Sequence, residues 1–435
     1  MKKLELKARK GKVLVKRSIK LNNPELLVPA GDWPSLRVAI EKGADSIYFG
    51  IKQLNMRATA RNFELKDLKK ISKLCHDNAR KSNISGTTKR GKVKAYLTLN
   101  TIIYDDEIKK VEKIIKKVKE TKIDAIICWD TSIINLCKKY KVKFHISTQA
   151  SVSNFEAVKF YSKLGAERIV LARELSLDQI KKIVNKIKKE KLKVKIETFV
   201  HGAMCVSVSG RCFISQFLYG KSANRGECIQ PCRRSYNVKD KEENHELDLE
   251  SNFVMSPKDL CALPFLDKLV KAGIDVFKIE GRNRAPEYVG FVTEIYRDAI
   301  NNIINGKFDK KFIKYALDKL KTVYNKGFSS GFYLGKPINE WSKTYGSKAT
   351  KKKVYVGRVI NYYNKLNVAE IKLESSELNV GDKMLVQGNA TGLFDQNVGS
   401  IELNHKSIKK GKKGDSVAVL LKRKARKNDM VFKII

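Results

Sequence analysis

Eight times between positions 24 and 281 a short apolar run closing on small or polar residues gives way to a longer run with helical spacing. That alternation is met by a parallel sheet whose strands are joined through crossover helices. The apolar runs lie at 25–30, 45–50, 93–100, 124–130, 143–150, 168–173, 194–200 and 275–281. Eight units suffice to close a (β/α)8 TIM-like barrel, expected over 24–304, with an open doubly wound sheet as the alternative. The intervening stretches 65–80, 105–120, 154–164 and 286–304 are amphipathic with Lys-rich faces, as an outer ring of helices requires. Asp32 and Ser176 stand where helices should start, and Gly43, Gly165 and Gly273 where helices should stop before the next strand.

In such a barrel chemistry belongs at the carboxyl ends of the strands. The residues expected there include Asp32, Tyr48, Asn100, Asp130, Gln149, Arg173, Glu197 or His201, and Glu280 with Arg282. Glu197 and Glu280 are candidate general bases or ligand orienters, and His201 and Arg173 join them as candidate catalytic groups. Arg57, Arg173, Arg211 and Arg282 can grip carboxylates or phosphates in bidentate fashion, although each can equally be committed to an ion pair with Glu174, Glu197 or Glu280. Tyr48 can stack on a base or simply fill the barrel, and Gln149 completes the substrate-binding candidates.

Directly after the seventh run, the loop 201–235 holds four of the eight cysteines. Cys205, Cys212, Cys228 and Cys232 are separated by six, fifteen and three residues, among glycines that permit tight turns. Three chemistries compete for them. Structural zinc prefers two close ligand pairs, and only Cys228 and Cys232 are close. A cysteine peptidase would pair Cys205 with His201 and leave three thiols unexplained. An iron–sulfur cluster uses all four and tolerates irregular spacing. Cys75, Cys128, Cys137 and Cys261 fit core positions, with Cys261 near enough in sequence to serve as a substitute ligand.

Beyond the barrel, 305–350 is expected to be a helical and loop linker pinned by Phe328, Phe332 and Tyr333. From 351 to 435 the period changes to two, which suits a small β-barrel. The net charge is +43, and it is densest in the basic tail 1–23 and over 405–428, so a nucleic acid is the expected partner there; part of the Lys excess is ordinary compositional bias. No run is apolar enough to span a bilayer and the N-terminus lacks a signal-peptide core, so a cytoplasmic protein without structural disulfides and without a membrane partner is expected.

The motif Glu197-x-Phe199-x-x-Gly202-Ala203-Met204-Cys205, followed by Gly210-x-Cys212-x-Ile214-Ser215, resembles that of peptidase family U32, the collagenase-like proteases. The segments at 25–50, 57–63, 256–260 and 278–290 are similar to other family stretches, and SANRGECIQPCR at 222–233 resembles the RNA-hydroxylating branch. That branch implies an oxygen-independent hydroxylase of a tRNA wobble uridine or a 23S rRNA cytidine, with a [4Fe-4S] cluster on Cys205, Cys212, Cys228 and Cys232 and prephenate as hydroxyl source. A peptidase and a noncatalytic RNA-binding iron–sulfur protein are the other readings, and zinc is the other metal. The resemblance specifies no electron donor or partner subunit, and at 435 residues the chain is not expected to carry the extra C-terminal region of the ribosomal RNA members.

Overall fold

The computed structural model describes residues 22–78, 91–239, 241–242, 253–337 and 340–435. The basic tail expected over 1–23 therefore falls almost wholly outside the described residues. Seven parallel strands follow in order: β1 (Glu25–Ala30), β2 (Ser46–Phe49), β3 (Lys94–Thr98), β4 (Ala125–Cys128), β5 (Phe144–Ile146), β6 (Arg168–Val170) and β7 (Lys195–Gly202). The short β8 (Asp259–Cys261) comes next, and β9 (Val276–Ile279) completes the ring. β9 pairs in parallel with both β1 and β7, so the sheet is a closed eight-stranded barrel and the open-sheet alternative is excluded. β8 runs antiparallel to the end of β7, and β10 (Phe328–Ser329) adds to β8 outside the ring.

The strands read as continuous apolar runs because both faces are covered, one by helices and one by the barrel interior. Local signals set the helix starts. Asp32 accepts from Ser35 N, Asp130 from Ser132 N and Asn154 from Ala157 N, and Ser176 forms a capping box with Gln179. Asp32 and Asp130 thus serve as caps at the mouth. The linker contains helix Lys310–Lys321 and then β10, and the Tyr333 hydroxyl donates to Phe199 O at 2.6 Å.

The C-terminal strands, from Lys353–Tyr363 to Met430–Ile434, form an antiparallel sheet of eight strands with its own core. The sheet curls: Gln396 near one edge donates to Leu420 O and accepts from Lys422 N. Leu385 and Leu393 of this sheet belong to the barrel's core cluster, and the ion pairs Arg423–Glu41 (2.7 Å) and Lys353–Glu287 (2.8 Å) flank the junction. No helix among the described residues is long and apolar enough to cross a membrane.

Candidate metal centre at the barrel mouth

The cysteine segment leaves the barrel through Gly202, whose φ of +109° suits glycine and whose Cβ, if present, would lie 2.5 Å from Glu280 O. Arginines then staple it down. Arg173 donates to Ala203 O at 2.7 Å, Arg233 donates to Met204 O and to Pro257 O (2.6 Å), and Arg211 donates to Gln149 O while lying 4.8 Å from the Trp129 ring centre. Arg225 pairs with Glu107 and packs 4.8 Å from Tyr104. Within the segment, Asn224 Oδ1 accepts from Cys212 N and the buried Ser215 hydroxyl accepts from Ile229 N, so the thiol-bearing turns brace one another.

Cys205, Cys212, Cys228 and Cys232 all line one cavity of about 290 Å³ at the barrel mouth. Cys205 is exposed and the other three are half-buried; burial raises the Cys228 thiol and pushes Cys232 up to about 11. Cys205 lies close enough to Arg57 and Arg173 for a thiolate there to be felt by both guanidiniums. Among the described residues no three His, Cys, Asp or Glu side chains stand close enough to hold a single metal ion. One tetrahedral zinc with Zn–S near 2.3 Å would draw its sulfurs to within roughly 3.8 Å of each other. A four-iron cluster offers a separate iron to each thiolate, and the four thiols that line this cavity supply that number. Cys261 is not part of the set: it is buried in β8 near the Tyr296 hydroxyl (3.8 Å), and burial holds its thiol up at about 11.

Beneath the thiols lies a charged floor. Glu280, just beyond β9, takes both Nε and one terminal nitrogen of Arg57 at 3.0 Å and the Tyr48 hydroxyl at 3.2 Å. Burial alone would raise its carboxyl, but Arg57, Arg173 and Arg282 outweigh burial and hold it down to about 2. Arg282 donates to Thr98 Oγ1 at 2.8 Å, and burial together with Arg57 draws its guanidinium down to about 10. Asn100 donates to Gln149 Oε1 at 3.2 Å on the same wall. Arg173, Arg57, Tyr48, Gln149, Arg282 and Glu280 therefore converge on the cavity with the four cysteines.

Three of the catalytic and substrate-binding candidates do not. Glu197 is the third residue of β7, deep in the barrel, where it is fully buried between Lys278 (2.7 Å) and Arg168 (3.1 Å). It cannot reach the mouth, because β7 runs on for five more residues to Gly202. His201 turns away as well. Two residues of β7 there oppose one of β9, a bulge that breaks the alternation after Phe199, and the imidazole packs against Tyr296, Tyr288 and Phe328. Burial lowers it to about 3, so it is neutral and unpaired with Cys205. Arg211 holds the rim from outside the cavity wall. The residue overlooked in sequence is Lys278, which lines the cavity, lies 4.5 Å from the Tyr48 ring centre and is buried. A lone cation in an apolar strand, two residues before Glu280 and hence on the same face, was the available signal.

The profile of peptidase family U32 matches residues 31–343. The chain is 42% identical to a protein of Porphyromonas gingivalis named collagenase, over 95% of this chain and 98% of that one. It is 33% identical to the tRNA hydroxylation protein P1 of Bacillus subtilis, over 78% of each chain. It is also 38% identical to the 23S rRNA 5-hydroxycytidine synthase of Escherichia coli, over 66% of this chain and 40% of that longer one.

Proposed function

Since this chain belongs to peptidase family U32, whose relatives are named both as proteases and as RNA hydroxylation proteins, we propose that it is an RNA hydroxylase acting on tRNA or rRNA. The observation that carries this reading is the convergence of four thiols and a set of cations, Lys278 and Arg282 among them buried, on one cavity at the barrel mouth. Cys205, Cys212, Cys228 and Cys232 would hold a [4Fe-4S] cluster, which supplies one-electron transfer when bound.

The residues of the chain supply binding and charge. Arg57, Arg173, Arg282 and Lys278 line the cavity with Glu280 among them; Arg57 repels both Arg173 and Arg282, and an arriving carboxylate relieves that repulsion. Prephenate fits that role as hydroxyl donor. The exchange then balances without dioxygen: the base C–H becomes C–OH as the donor C–OH becomes C–H, and two electrons pass from base to donor. Asn100 and Gln149 present amide groups that can meet a base edge.

The collagenase resemblance favours a second reading, a peptidase. The site geometry speaks against it: His201 faces away from Cys205, and the pairing of a nucleophile with its base that such chemistry needs is not formed there. Nucleoside mass spectrometry of RNA from a deletion strain tests the proposal, alongside iron and sulfide assay of protein purified without oxygen. One hydroxylated nucleoside should vanish and return with the wild-type gene but not with Cys212→Ser. A full nucleoside complement, together with gelatin cleavage by the purified chain, would overturn it.

A further inference from the structure

Of the eighteen large apolar side chains exposed on the described residues, seven fall between 206 and 229, on the cysteine segment itself. Phe217 of helix Ile214–Tyr219 is 85% exposed and Phe213, the residue that caps its start, 60%, with ring centres 6.2 Å apart. Leu218, Tyr219, Val208 and Ile229 of the same segment are exposed as well. Val208 also lines the cavity, and Phe213 follows the cavity-lining Cys212 directly in sequence, so the exposed apolar residues begin at the candidate site.

Its charge is one-sided. Between 203 and 239 there are six cations and one acid, Glu227. Arg211, Lys221, Arg234 and Lys239 are exposed, and Arg234 lies 5.0 Å from the Tyr219 ring centre. A second copy docking across a two-fold axis would set this positive surface against itself. Exposed aromatic faces framed by arginines and lysines suit unpaired nucleotides, whose bases stack while their phosphates are neutralised.

We propose that Phe213 and Phe217 form a platform on which unpaired nucleotides flanking the modified base stack, with Arg211, Lys221 and Arg234 along their phosphates. The proposal rests on the RNA-modifying reading for the identity of the partner. It gives a role to the large aromatic groups left in solvent on the segment that carries the four cysteines.

The test uses the full-length chain, loaded with its cluster without oxygen, and two probes at one fixed salt concentration: an RNA stem-loop with an unpaired loop, and a fully paired duplex of equal length. Phe217→Ala and Phe213→Ala should each weaken loop binding by about 5- to 150-fold and leave duplex binding and melting temperature unchanged. Phe217→Trp should restore it. Loop binding by both alanine variants at the wild-type level overturns the platform. So does a change from dimer to monomer in Phe217→Ala on light scattering, which assigns the surface to a second copy, or a loss confined to binding of phosphatidylserine vesicles. The two readings fail separately. If no nucleoside depends on the gene but loop binding depends on Phe217, the hydroxylase falls and the platform stands. If the double alanine variant restores the missing nucleoside and binds loops normally, the platform alone falls.

Discussion

A carboxylate as enclosed as Glu280 would ordinarily keep its proton, and three guanidiniums reverse that outcome. Its folded value near 2 against an ordinary value of 4.5 means that the folded state binds fewer protons than the unfolded chain between those limits. The contribution is therefore fully present above about pH 4.5 and is lost as pH falls through about 2, and the shift corresponds to about 3 kcal/mol. Urea unfolding at neutral pH and across this acid window should show the wild type losing about 3 kcal/mol more than Glu280→Gln. Equal losses would show that the arginine cage does not hold the carboxylate ionised. At this scale the residue types at the mouth were readable from sequence, but their pairings were not: Arg57 and Glu280 lie 223 positions apart.

The cysteine segment is held by backbone approach as much as by its arginines. Gly226 adopts φ +86°, and a Cβ there would lie 2.1 Å from Asn55 O, while its own carbonyl accepts from Ala58 N at 3.0 Å. Gly226→Ala should lift the segment from the barrel at a cost of about 1–3 kcal/mol, confined to this element. The measurable result is less iron per chain after anaerobic reconstitution, with circular dichroism and melting temperature close to wild type. Full iron loading would show that the segment docks without this contact. The spacing of the thiols marked the element in sequence, because four cysteines within one loop stand out locally. What brings the four thiols to one cavity is the docking of those turns on the barrel, which no local window of sequence contains.

Across the whole molecule the two cores touch. Leu385 and Leu393 of the C-terminal sheet pack in the barrel's core, and Phe432 and Ile434 lie against it. Apolar contact of this kind couples unfolding of the parts. Calorimetry of the full chain should give one transition, and two resolved transitions would mean that the shared core contributes little. The linker joins the same mass through β10 and the bond from Tyr333 to Phe199.

Local sequence determined the alternating elements, the closed barrel they suggested, the helix starts and the place of the thiols after the seventh strand. Such features are written in windows of a few residues, through periodicity, capping and turn chemistry. Tertiary structure alone decided which charges meet. Glu197 and Lys278 pair across 81 positions inside the ring, and a single bulge in β7 turns His201 from the expected mouth into the helical layer. The direction of a side chain at a strand end depends on pleat and register. Those are settled only when β9 closes the barrel between β7 and β1.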